Sequence, residues 1–258
     1  MPAPVTLPRL SWGSPASDRR ALLVHGLGSN AHLMWRFGVA LADAGWRADA
    51  VDLRGHGVAP RALDYTLEAY AADVAAIGPD GGGPWDLVLG HSLGGAAVTL
   101  AAAADRSWTR RLVLVDPAIS LTPHDRDVVR NSQEESFADP SQAAVRAAHP
   151  HWHEQDVELK SLAAHQASRW AVEQTSAQNP RWDVTAAATA LDVPTHVIGS
   201  DPEVYSIFCG KPAEAVVAAN PHLTLSVVAG AGHSPHRDKP EATIAQLMDA
   251  LASAEVRA

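Results

Sequence analysis

"LVLGHSLGGAAVTLAAAA", residues 87–104, joins a short apolar run to an alanine-rich tract through one serine set between glycines. The run reads as a buried strand and the tract as a helix whose small side chains let it lie close against its neighbours. Passing from strand to helix in one residue forces Ser92 into a strained backbone conformation, and a Cβ two positions to either side would crowd the turn. Glycine at positions 90 and 94 removes that crowding. Gly90-His91-Ser92-Leu93-Gly94 thus fits the G-x-S-x-G nucleophile elbow. Such a turn holds the serine hydroxyl open to substrate at the carboxyl ends of the strands, with the first helical N–H groups ready to receive negative charge.

Outward from this turn the chain alternates short β-branched runs with longer amphipathic ones, the pattern of a mostly parallel sheet with helices on both faces. Strands are expected at "ALLVHG" (21–26), "RADAVDLRG" (47–55), "WDLVLGH" (85–91), "RLVLVD" (111–116), "PTHVIGS" (194–200) and "LTLSVV" (223–228). Helices are expected at 31–45, closed by Gly45, at 66–78, closed by Gly78 and Pro79, after Ser92, and from about Pro240. From Pro117 to Leu191 the strand signal vanishes, while Pro123, Pro140, Pro150 and Pro180 mark breaks. The expected organisation is an α/β core of residues 1–116 and 192–258 carrying a helical lid insertion of residues 117–191.

Composition narrows the function. Acidic residues exceed basic ones by nine, and the Lys and Arg are scattered, so no basic stripe exists to track phosphates and nucleic acid is not expected as a partner. No run approaches the roughly 20 apolar residues that span a bilayer, so no membrane partner is expected. The opening "MPAPVTLPRLSWG" lacks the basic and apolar regions of a secretory signal, which makes the cytoplasm the expected location. Cys209, the single cysteine, reads as a small buried hydrophobe.

With the elbow in its strand-to-helix setting, the chain resembles the α/β-hydrolase fold family over nearly its whole length. "LVHGLGSN" (23–30) resembles the family's His-Gly loop, and the likeness implies an oxyanion hole made by the backbone N–H groups of Leu27 and Leu93. "VDLRGHG" (51–57) is similar to a structural turn of the family, and "GAGHSPHRDKPE" (230–241) to the loop that delivers the catalytic histidine. The family usually places an antiparallel pair before the His-Gly strand. Here about twenty residues precede it and Pro8 breaks "VTLPRLSWG", so an edge strand is expected to be short or missing.

A serine hydroxyl needs a base near neutral pH, and imidazole can take its proton and return it to a leaving group. Among thirteen histidines the resemblance assigns this role to His233, with His236 as runner-up; His25 and His56 read as loop braces and His91 as pointing elsewhere. The acid that fixes the imidazole tautomer is assigned to Asp201, directly after "PTHVIGS" and between serine and histidine in chain order. The spacing there is tighter than usual for the family, and Asp116, after the preceding strand, stands as the alternative. Asp52 reads as a turn residue.

Trp35, Trp152, Trp170 and Trp182 are candidate walls of an acyl pocket, against packing roles for each. "HPHWHE" clusters His149, His151 and His153, but Pro150 interrupts any helix through them and no further ligand completes a metal set. The resemblance implies neither metal nor cofactor. It implies a serine hydrolase that cleaves an ester or related acyl bond of a small molecule through Ser92. The same fold also hosts thioesterases, lactonases, carbon–carbon hydrolases and cofactor-free perhydrolases, and a non-catalytic small-molecule receptor is the alternative from another class.

Overall fold

A computed structural model describes residues 2–255 of the chain. Among these residues seven strands form one sheet: β1 (Arg9–Trp12), β2 (Arg20–Val24), β3 (Arg47–Val51), β4 (Leu87–His91), β5 (Leu112–Val115), β6 (Thr195–Ser200) and β7 (Leu223–Val228). Their spatial order is β1-β3-β2-β4-β5-β6-β7. Every neighbouring pair is parallel except β1 with β3, in which Arg9 faces Val51 and Trp12 faces Ala48. The short start of the chain therefore supplies a single antiparallel edge strand, entered directly after Pro8.

Both faces of the sheet are covered. Leu22 and Val24 of β2 join Val88, Ala97 and Leu112 in one apolar layer, whereas Ala21 and Leu23 join Phe37, Leu89 and Leu247 in the other. This two-sided burial is why the central strands read as continuous apolar runs with no polar alternation. Each fully buried Leu or Val contributes about 1.5–3 kcal/mol relative to an exposed one, so the strands beneath the site form its rigid floor. The first layer carries α2 (Leu67–Ala75) and α3 (Leu93–Ala104); α1 (Trp35–Asp43) and α11 (Pro240–Glu255) cover the other face.

Between β5 and β6 lie five helices and no named strand: α4 (Pro123–Ala138), α5 (Gln142–Ala148), α6 (Glu154–Gln166), α7 (Arg169–Gln178) and α8 (Thr185–Thr189). The prolines that mark breaks in the sequence sit at their ends. Pro123 opens α4 behind a capping box of Thr122 and Asp125, Pro140 and Pro150 flank α5, and Pro180 follows α7. Two short helices carry no clear signal in the sequence: α9 (Gly210–Ala219), between β6 and β7, and α10 (Pro235–Asp238). No helix of the described residues is long and apolar enough to cross a membrane.

Candidate active site

Ser92 sits between β4 and α3 with φ 53° and ψ -118°, the strained turn expected of the elbow. A Cβ on Gly90 would lie 2.7 Å from the Gly94 carbonyl oxygen, and one on Gly94 would meet the Val24 and His25 carbonyls. Gly95 has the same constraint, since its Cβ would lie 2.6 Å from Pro117 Cβ. The serine backbone is tied to the neighbouring strand end: Ser92 N–H donates to Val115 O at 3.1 Å, and Ala118 N–H donates to Ser92 O at 3.1 Å. One expectation needs correction, because Ser92 is only 8 % exposed. His233 abuts its hydroxyl, and Gly26 packs so closely that a Cβ there would be 3.0 Å from Ser92 Cβ.

His233 Nε2 lies 2.9 Å from Ser92 Oγ, and its Nδ1 lies 2.6 Å from Oδ2 of Asp116. The structure thus joins the alternative acid, not Asp201, to the histidine. Asp116 is fully buried at the end of β5, with φ 35°. Besides His233, its carboxylate accepts from Ser206 Oγ at 2.6 Å and from the Ile207 and Phe208 N–H groups, each at 3.1 Å. Burial works to raise its pKa, but the hydrogen bond and charge of His233, with Ser206 and Phe208, outweigh that and hold the carboxyl below its usual range.

Asp201 is spent locally. Its Oδ1 accepts from Glu203 N–H at 2.9 Å and its Oδ2 from Gly230 N–H at 2.7 Å. The tight spacing after β6 turns this side chain across the loop mouth, where it caps the turn and the β7 exit. The following residues, 206–208, pass behind to Asp116. His236, the runner-up base, is buried against Phe37 and His91, with ring centroids 5.1 and 4.9 Å away, and neither of its ring nitrogens is hydrogen-bonded to Ser92.

His25 and His91 brace the loops. His91 Nε2 donates to the His233 carbonyl at 2.8 Å. His25 Nε2 accepts from Leu53 N–H at 3.1 Å, which leaves its Nδ1–H to donate to Gly26 O at 2.7 Å. Asp52 holds the start of the 3-10 turn at Ala31–Met34 by accepting from Ala31 N–H at 2.7 Å, and Val58 N–H binds its other oxygen at 2.9 Å. The Gly26–Leu27 backbone is thereby fixed beside Ser92. Leu93 N–H opens α3, in the part of a helix whose amides lack intrahelical acceptors.

Helix α6 is docked onto this loop. Asp156 accepts from Trp35 Nε1 at 2.8 Å and from Arg36 at 3.0 and 2.7 Å, Lys160 Nζ donates to Gly28 O at 3.0 Å, and Asn30 Nδ2 donates to Gln166 Oε1 at 3.0 Å. Desolvation beside Arg237 lowers the Lys160 pKa to about 8. The tryptophans serve as fasteners. Trp35 is bound to Asp156, Trp152 Nε1 donates to Asp238 Oδ1 at 2.6 Å, and Trp182 Nε1 donates to Ala118 O at 2.7 Å. Trp170 is 44 % exposed and packs edge-on against Tyr65. The polar and ring contacts of Trp35, Trp152 and Trp170 go to the helical segment and its supports, and none of these contacts is to Ser92 or His233. In "HPHWHE", His149 stacks on Trp152 at 3.7 Å, His151 Nε2 lies 3.2 Å from Asp238, and His153 accepts from Gln155 N–H to cap α6.

The sequence pattern of the alpha/beta hydrolase family matches residues 21–246, which include every residue of this cluster. The chain belongs to that family. Among curated relatives, the lipase LipV of Mycobacterium tuberculosis is 32% identical over 144 residues, covering 55% of this chain and 54% of the lipase. A pimeloyl-[acyl-carrier protein] methyl ester esterase of Neisseria meningitidis is 39% identical over 108 residues, 42% of this chain and 40% of its own length. The match therefore spans about half the length of these relatives or less. The esterase YbfF of Escherichia coli is 29% identical over 75% of this chain and 78% of that protein. A solved structure of the N-formylmaleamic acid deformylase of Pseudomonas putida shares the fold at a TM-score of 0.79, with 24% identity, covering 94% of this chain and 96% of that one.

Proposed function

We propose that this alpha/beta hydrolase is a serine hydrolase that cleaves a carboxylic ester or related acyl bond of a small molecule. The reading rests on one observation: the unbroken hydrogen-bonded line from Ser92 through His233 to Asp116, at 2.9 and 2.6 Å. In this reading His233 Nε2 takes the Oγ proton as Ser92 attacks the acyl carbon, and Asp116 keeps the imidazole in the Nδ1–H tautomer and stabilises its cation. The N–H groups of Leu27 and Leu93 receive the charge that develops on the acyl oxygen. His233 then protonates the leaving alcohol. A water, activated by the same imidazole, releases the acid from Ser92.

The helices of residues 117–191 act here as a lid that shapes the acyl pocket and limits water around Ser92. Curated relatives named as a lipase and esterases support an ester as the substrate. The test is a panel of activated esters and thioesters of varied chain length, run beside labelling by a fluorophosphonate probe. Steady turnover with labelling at Ser92 supports the proposal. A stoichiometric burst with no later turnover on any substrate would instead identify a receptor that has kept the hydrolase pocket.

A further inference from the structure

The backbone around His233 is held from two directions. On its carboxyl side, His91 of β4 takes the His233 carbonyl at 2.8 Å. On its amino side, Gly232 N–H donates to Asp238 Oδ2 at 2.8 Å, an approach close enough that a Cβ on Gly232 would lie 3.1 Å from that oxygen. The second oxygen of Asp238 is engaged across the molecule. Its Oδ1 accepts from Trp152 Nε1 at 2.6 Å and lies 3.2 Å from His151 Nε2, both residues of the connection between α5 and α6. Trp152 has little freedom of its own, because His149 stacks on its ring and the Arg237 guanidinium lies 5.2 Å from its centroid.

We propose that Asp238 is a positioning residue that ties the seating of the helical segment to the aim of the His233 imidazole. The inference rests on the reading of His233 as the base. A carboxylate accepting on both oxygens forms stronger and more directional bonds than a neutral group. Removing the Trp152 N–H would leave Oδ1 of Asp238 with only the exposed His151 beside it, so that the carboxylate holds the Gly232 amide less firmly. A general base works only within about 2.6–3.2 Å of the proton it moves, so a small rotation of residues 232–233 slows proton transfer without altering how an ester is bound. The hydrogen bonds of the Asp238 carboxylate go to Gly232, Trp152 and His151, not to Ser92 Oγ or the His233 ring. Asp238 acts through the peptide that precedes the histidine.

Two variants test this. Trp152→Phe keeps an aromatic ring for His149 to stack on but deletes the pyrrole half of the indole with its N–H donor; Asp238→Asn replaces one acceptor oxygen with a donor, which cannot serve N–H groups on both sides. Each is compared with the parent by kcat and KM on p-nitrophenyl acetate, by the rate of fluorophosphonate labelling, and by 15N-histidine NMR with the His233 signals assigned from a His233→Gln sample. Expected are a fall of about tenfold in kcat and in labelling rate, of the kind that follows small misplacement of a catalytic group, KM within about twofold, and shifted or broadened His233 ring signals. The double variant should be no slower than Asp238→Asn alone. Unchanged His233 signals in both variants, an effect on KM alone, or multiplying losses in the double variant would overturn the proposal. If Asp238→Asn does not fold, Trp152→Phe decides through the same readouts. Absence of turnover in the parent would count against the hydrolase reading only, since the NMR comparison still reports on positioning.

Discussion

Asp116 holds a backbone conformation, φ 35°, that costs a residue bearing a Cβ about 1–3 kcal/mol. The carboxylate's bonds to His233, Ser206, Ile207 and Phe208 offset that cost. Asp116→Asn should lower kcat on an activated ester by about four orders of magnitude, because the amide favours the wrong imidazole tautomer. Asp201→Asn, which disturbs only a surface turn, should stay within about tenfold, or 1.4 kcal/mol of barrier. The reverse ranking in steady-state assays would return the acid role to Asp201. Ser92 gives a second residue-scale test. Ser92→Ala and Ser92→Gly should both abolish fluorophosphonate labelling, and the glycine variant should be more stable than the alanine one by about 1 kcal/mol in urea unfolding, because φ 53° suits glycine. Ser92 and His233 were legible in the sequence because each lies in a local pattern of glycines next to a strand. The acid was not. What distinguishes Asp116 from Asp201 is a segment some ninety residues downstream, with no periodic signal, that folds back to supply Ser206 Oγ and two amides.

The elements around the site are stitched by a few polar side chains placed on otherwise ordinary helices. Asp156, buried on α6, takes the indole of Trp35 and both bonds of the Arg36 fork. Asp156→Ala would strand the partly buried guanidinium, a change that typically costs about 3–5 kcal/mol for a buried pair. Its effect should be concentrated in α6. Hydrogen exchange measured by mass spectrometry is expected to quicken in residues 154–166 and in the Gly28–Asn30 loop, while β4 and β5 keep parental protection. Uniform acceleration across the sheet would show that α6 is not a separately docked element. Helices and parallel strands could be read from hydrophobic period and from prolines at helix ends, such as Pro123. The uses of the tryptophans could not, because an indole reads alike in sequence whether its ring lines a pocket or its N–H fastens a helix. Trp152 and Trp35 do the latter, through carboxylates 86 and 121 residues away.

At the scale of the whole molecule, the folded chain keeps four buried histidines neutral. Burial lowers the pKa of His25 to about 4 and, with His25 nearby, that of His56 to about 3; burial likewise takes His91 and His236 well below their ordinary value. Above pH 6.5 both folded and unfolded forms of these groups are neutral. Below it the unfolded chain binds protons that the folded chain refuses, so stability falls as pH drops from about 6.5 toward 4 and 3. His25 alone accounts for up to about 3 kcal/mol across this window, at 1.36 kcal/mol per pKa unit. Urea midpoints should therefore be lower at pH 4.5 than at pH 7.5, and His25→Gln should reduce the difference; equal midpoints would mean that the folded chain takes up these protons as readily as the unfolded one. The order of the strands has a consequence for the chain while it is being made. Ser92 and Asp116 leave the ribosome early, whereas His233 follows the serine by 141 residues and lies beyond β7, the edge strand of the sheet. An unfinished polypeptide thus displays a serine with no imidazole to arm it. Under the proposed mechanism such a chain is silent toward esters, and the first turnover marks a polypeptide whose synthesis has passed β7.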